Sequence, residues 1–266
     1  MCEQMIFRYA ASRILDMLFK QISMNPFELI DVDRYRGDPF SVPCPHCGSV
    51  ATYEKDKVKF FRTHESNIAL DTGNAEWDAN QGTIVGHCRC TNDKCQEYTH
   101  FIGSYFTTRD EFEEPVQFYE MFRIKYFFPP VPFIQIPAKT PKKISDIVKR
   151  SFAPAFFDQS ASGHLLRYAI EELLTVLKVP RFGLTTKGKK YRLTLYSRIE
   201  RLPLKLHSHK DKLQAIRWLG NAATHDDLKV NNLKLLYEIA DKLLEALYGT
   251  GERELLREIK QILRRA

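Results

Sequence analysis

Two short cysteine-bearing turns, Cys44-Pro45-His46-Cys47 and Cys90-Thr91-Asn92-Asp93-Lys94-Cys95, constrain this chain more than anything else in it. Two thiolates in one turn can grip a tetrahedral ion while backbone N–H groups point at the sulfurs, and Pro43 and Gly48 flank the first pair with turn chemistry. The second pair then has to arrive from a turn at the end of a later strand. The spacing predicts a zinc ribbon with Cys44, Cys47, Cys90 and Cys95 as ligands. A closed site of four ligands leaves no open position for water, so the zinc is expected to be structural. Cys88 competes for a place in the set because it lies two residues before Cys90 on the same strand face, and His46 and His87 are near in sequence. The bland alternative is a small β domain with unliganded thiols.

Disulfides are a poorer explanation of the six cysteines. No secretory signal is expected in segment 1–24, since its apolar residues are interrupted by Arg8, Arg13 and Asp16. No other apolar run reaches the length of a membrane span, so the expectation is a cytoplasmic protein without a membrane partner.

Around the cysteines, β-like runs at 50–53, 58–62, 82–89 and 98–107 are separated by Gly, Asn and Asp, which predicts a small antiparallel sheet dependent on its metal. Before them, Phe7, Ile14, Leu15, Leu18, Phe19 and Ile22 recur at helical spacing, so an amphipathic helix over about residues 4–23, stopped by Asn25-Pro26, is expected to pack on the protein's own core. The full expectation is an α+β protein: a helix at 1–24, a zinc-ribbon-like β domain at 25–128, a proline-rich connector at 129–141, and an all-α helical bundle at 142–266. Five of the 13 prolines fall between 126 and 141, which marks the boundary.

The charge divides at the same place. Residues 25–125 carry 11 basic and 17 acidic side chains, whereas residues 138–215 carry 17 basic and 6 acidic, so the overall +7 is concentrated in the second half. A polyanionic partner would bind there. Within it, Lys187, Lys189, Lys190 and Arg192 form a basic loop around Gly183 and Gly188, with Phe182 and Tyr191 interleaved to stack a base; a solvated surface segment is the plainer reading.

Helical periodicity then runs through Leu166, Ile170, Leu173 and Leu177, and through Leu233, Leu236, Leu243 and Leu247, with a further helix over about 255–263. Between them, on the helix from Leu213 to His225, Arg217, Asn221 and His225 fall on one face and Leu213, Ile216 and Ala223 on the other.

The pattern Leu166-Arg167-x-x-Ile170-Glu171-x-Leu173-Leu174, then Ile216-Arg217-x-Leu219-Gly220-Asn221-x-Ala223-x-His225, then the helix from Leu233 to Tyr248, resembles a bacterial family known as domain of unknown function 4145. That family is a branch of the HEPN (higher eukaryotes and prokaryotes nucleotide-binding) helical superfamily. The resemblance covers roughly residues 129–248, with a cysteine-knuckle segment as a common companion. It implies a dimerising helical bundle associated with restriction and phage defence. Active relatives in the superfamily are metal-independent ribonucleases using an Arg, four to six intervening residues and a His, which would cast Arg217 and His225 as catalytic and Asn221 as orienting. Here seven residues separate Arg217 from His225, so the arginine stands a helical turn early, about 12 Å along the axis.

Two functions follow as expectations. One is a defence or restriction-associated module that binds nucleic acid, RNA first, and acts as a ribonuclease if the early arginine permits. The alternative is a non-catalytic scaffold docking on a defence-system partner protein or on itself as a homodimer.

Overall fold

The computed structural model describes residues 25–73, 80–110, 117–222 and 228–250. The amphipathic segment 4–23, the terminal segment 255–263 and Cys2 lie outside the described residues. The chain divides into two compact units, Met1–Val131 and Pro132–Ala266.

In the first unit, seven strands among the described residues form one antiparallel sheet: β1 (Arg34–Tyr35), β2 (Ser41–Pro43), β3 (Val50–Tyr53), β4 (Lys59–Arg62), β5 (Gln81–Cys90), β6 (Tyr98–Asp110) and β7 (Gln117–Phe128). Their order is β1-β7-β6-β5-β3-β2. The edge of β5 away from β6 is shared, its first half pairing with β4 and its last residues with β3. One short helix, α1 (His64–Asp71), follows β4 and is capped by the Thr63 hydroxyl accepting from the Ser66 N–H.

This corrects the expectation of a small zinc ribbon, because the sheet is large and curls into an open half-barrel. The main addition is β7, which pairs with nearly all of β6. Its outward Met121, Arg123 and Lys125 alternate with buried Phe122 and Ile124, and the alternation is interrupted by a bulge opposite Ile102/Gly103. A reading by apolar runs passes over such alternation, and the bulge shortens the stretch over which it holds.

The inner face carries an aromatic core. Phe40 stacks on Tyr53 at 4.6 Å and Phe101 on Phe122 at 5.8 Å, with Phe127 and Ile84 beside them. The Tyr53 hydroxyl donates to the Arg36 carbonyl at 3.2 Å, and burial pushes this phenol up to about 12.

The second unit contains α2 (Lys142–Phe152), α3 (Gln159–Val176), α4 (Leu195–Ile199), α5 (Lys210–Ala222) and α6 (Val230–Tyr248). Its core joins Ile144 and Ile147 of α2, Leu166, Leu173 and Leu174 of α3, Leu213 and Ile216 of α5, and Leu233, Leu236 and Leu243 of α6. Phe133 belongs to this core, stacking on Tyr237 at 5.1 Å.

The all-α expectation for this unit is also corrected. A β-hairpin, β8 (Phe182–Leu184) with β9 (Lys190–Arg192), is inserted between α3 and α4. The turn closes with the Thr185 N–H donating to the Lys189 carbonyl at 2.9 Å, and Gly188 adopts φ +75°, a conformation that side chains disfavour. The basic residues of this stretch suggested a loop, whereas its β-forming Phe182, Leu184 and Tyr191 decide the local structure.

Candidate functional site

The two cysteine turns meet because β3 and β5 bring them together. Ala51, just past the first turn, pairs with Cys90, and Thr91 donates both its N–H and its hydroxyl to the Val50 carbonyl at 2.9 and 3.0 Å. Each turn is closed by its own backbone. The Cys44 N–H donates to Ser49 O at 2.7 Å and the Gly48 N–H to Cys44 O at 2.9 Å; the Cys90 N–H donates to Glu97 O and the Cys95 N–H to Asn92 O, both at 2.9 Å. The residue after the last cysteine of each turn has positive φ, Gly48 at 74° and Gln96 at 50°. Gln96 is held there by the Arg89 guanidinium donating to its Oε1 at 2.9 Å and by its own amide donating to Asp93 O at 3.1 Å.

The sulfurs of Cys44, Cys47, Cys90 and Cys95 all lie within 4.8 Å of one another. Cys44 and Cys95 are 3.8 Å apart and Cys47 and Cys90 3.5 Å, far beyond a bonded S–S distance, and all are free thiols. Four sulfurs about 2.3 Å from a tetrahedral ion would stand roughly 3.8 Å from each other, so the donor set fits a four-thiolate metal centre. Hydrogen bonds from Ser49, side chain and backbone, lower the Cys47 thiol to about 6, whereas burial pushes Cys90 up to about 12. The Asn92 amide lies 3.9 Å from the Cys47 sulfur.

Cys88, the competing ligand, is placed elsewhere. It is 0 % exposed on the inner face of β5, opposite Tyr53 and Thr99, and burial pushes its thiol far up. His87 instead turns to the other face and sits 2.6 Å from a Glu54 carboxylate oxygen.

In the second unit, Lys187, Lys189, Lys190 and Arg192 are all exposed on the β8–β9 hairpin. Lys190 Nζ lies 4.4 Å over the Phe182 ring, and the Tyr191 ring covers Gly183. Arg217 is on α5 with its Nε donating to Gln214 Oε1 at 2.7 Å and its guanidinium 5.3 Å from the Tyr196 ring. Asn221 is in the last turn of the same helix, and His225 lies outside the described residues.

Beside the hairpin is a cavity of about 330 Å³ lined by Arg167, Glu171, Arg181, Arg192, Thr194 and Arg198, with Leu193 and Leu195 between them. Arg198 is 4 % exposed, and its two Nη groups donate to Glu171 O at 2.9 Å, Thr175 Oγ1 at 3.0 Å and Val179 O at 3.3 Å. Arg181 donates to Glu172 Oε1 at 2.7 Å, and Lys143 to Glu172 Oε2 at 2.6 Å. Burial, with Arg181 beside it, lowers the Arg198 guanidinium below its ordinary value; Glu171 and Glu172 oppose the shift, and Arg192 adds to it. Reading the sequence by its lysine run overlooks this group. Its signal is Arg198 at helical spacing among Leu195, Ile199 and Leu202, a cation on an apolar face.

Comparison with curated proteins and with solved structures returns no match for this chain. Residues 151–265, the greater part of the second unit, match a family model described as a domain of unknown function (DUF4145).

Proposed function

We propose that this protein is a nucleic-acid-binding module of HEPN-like type, directed to single-stranded RNA, whose β unit is braced by a structural zinc ion. The observation that carries the binding reading is the β8–β9 hairpin, which exposes Lys187, Lys189, Lys190 and Arg192 together with Phe182 and Tyr191. Cations contact phosphates and aromatic faces accept bases, and neither requires a particular sequence. The reading is one of binding; Arg217, engaged with Gln214 and the Tyr196 ring, is given no part in it.

Zinc is the metal proposed for Cys44, Cys47, Cys90 and Cys95, because an all-thiolate tetrahedral set suits it. A zinc ion there supplies charge neutralisation and a cross-link between two turns, and no chemistry on a substrate. The chain's own residues do the rest: Gly48 and Gln96 set the turns, and Thr91 ties one to the other.

Fluorescence anisotropy with a labelled single-stranded RNA at stepped salt tests the binding reading. The logarithm of the affinity should fall with log salt by about 0.7 per phosphate contacted, and Lys187→Gln/Lys189→Gln/Lys190→Gln should flatten that slope by about two. Absence of binding at low salt, or an unchanged slope in the triple variant, overturns it.

Docking on a protein partner or a second copy is the other reading, and Trp218, 64 % exposed on α5, favours it. It requires a change of mass in sedimentation that Trp218→Ser abolishes.

A further inference from the structure

The cleft beside the hairpin holds more positive charge than its own residues balance. Four guanidiniums line it, and Glu171 is the carboxylate among them. Glu171 is a loose partner, 3.8 Å from Arg167 and 3.9 Å from Arg192, both longer than a charge-assisted hydrogen bond. Glu172 is already tied to Lys143 and Arg181.

At the floor, the buried Arg198 is bonded, among the described residues, only to neutral acceptors, the carbonyls of Glu171 and Val179 and the Thr175 hydroxyl. Its Nε, and that of Arg167, are buried without an acceptor among the described residues. A buried cation without a matching anion is costly, and leaving two donors unsatisfied adds to the cost. An anion with several oxygens, seated in the cleft, would supply the missing countercharge.

We infer that this cleft is a phosphomonoester site, taking a terminal phosphate with Arg198 at its floor, Arg167 and Arg181 at its walls and Arg192 at its mouth. The charge calls for a dianion, and guanidinium forks match the oxygens of a phosphate. Depth selects the terminal form. An internal phosphodiester has chain leaving on both sides and reaches only the rim, whereas a terminal phosphate protrudes far enough to meet a group that is 4 % exposed. Two sources share this chemistry, the end of a nucleic acid strand and a free mononucleotide. The first rests on the RNA-binding reading proposed above; the second does not.

The test uses the full chain and three probes: a short RNA with a terminal phosphate, the same RNA with hydroxyls at both ends, and adenosine monophosphate with adenosine as its control. The phosphorylated RNA should bind about tenfold tighter than the hydroxyl-ended one, the scale of one or two charge-assisted hydrogen bonds. Arg192→Gln, at a side chain 77 % exposed and so harmless to folding, should erase that ratio. Lys187→Gln/Lys189→Gln/Lys190→Gln should weaken both RNAs and keep it. Binding of adenosine monophosphate but of neither RNA, abolished by Arg192→Gln, would uphold the site and discard the RNA reading. Equal affinity for the two RNAs, with no binding of adenosine monophosphate, overturns the inference, as does an Arg192→Gln variant that keeps the ratio.

Discussion

Gly220 lies directly under the side chain of Arg167. A Cβ built on this glycine would stand 2.9 Å from Arg167 Cβ and 3.2 Å from its Cδ. The glycine on α5 therefore lets α3 approach closely enough for the arginine to pass over it and line the cleft. Gly220→Ala gains about 1 kcal/mol of helix propensity but overpacks a contact with an atom fixed to the backbone, which costs about 1–3 kcal/mol. We expect a net loss of about 1 kcal/mol in denaturant unfolding. A variant more stable than wild type would show that the two helices separate freely.

Tyr237 anchors the second unit through its hydroxyl. Ser151 Oγ donates to Val148 O at 2.6 Å, so it must accept from Tyr237 at 2.7 Å, which leaves Ser162 as the donor to Tyr237 at 2.9 Å. With every hydroxyl buried, Tyr237→Phe strands the Ser162 donor, while Ser151 keeps its bond to Val148 O, and should cost about 1–3 kcal/mol. Adding Ser162→Ala should recover part of that loss in a double-mutant cycle; a purely additive result would deny the coupling.

Glu172 makes the second unit sensitive to acid. It is 3 % exposed, and the hydrogen bond from Lys143, followed by the charge of Arg181, holds its carboxyl below the ordinary carboxylate value. Because the folded pKa is depressed, this stabilisation is fully present above the unfolded pKa and is lost as pH falls through the folded one. Glu172→Gln should accordingly flatten the fall in melting temperature below about pH 4.5, the region of the unperturbed group. An unchanged acid limb in the variant would rule the linkage out.

The four-sulfur cluster separates two kinds of cysteine. Elemental analysis should find one zinc per chain, and Cys44→Ser should lose it and lower the unfolding temperature. Cys88→Ala should keep the metal, because that thiol is in the sheet core, while losing stability through the cavity it leaves. Zinc loss from Cys88→Ala would return Cys88 to the ligand set. Chelation should loosen the two turns first, since the packed rings of Phe40, Tyr53, Phe101 and Phe122 include none of the four cysteines.

Much of the local structure was readable in the chain. The strand 50–53, the leucine stripes of α3 and α6 and the turn residues around Cys44 and Cys47 all carry periodic or positional signals that depend only on near neighbours. Strand β7 carries a period-two signal over Phe122-Arg123-Ile124-Lys125 that a search for apolar runs passes over, and its bulge opposite Ile102/Gly103 breaks the alternation before Phe127. The arginine cleft was harder still. Arg167, Arg181, Arg192 and Arg198 come from α3, the hairpin and α4, and no spacing in sequence signals their convergence.

What the sequence determined by itself was the kind of chemistry available: two thiol-bearing turns, a basic second half, and helices with one apolar face. The tertiary structure alone decided which of those groups act together. Whether Cys88 or Cys90 joins the four-sulfur cluster turned on two residues of strand register, and the cleft turned on a glycine that lets two helices touch. Pairing register and close packing are relations between distant residues, so they are settled by folding and have no local sequence signature.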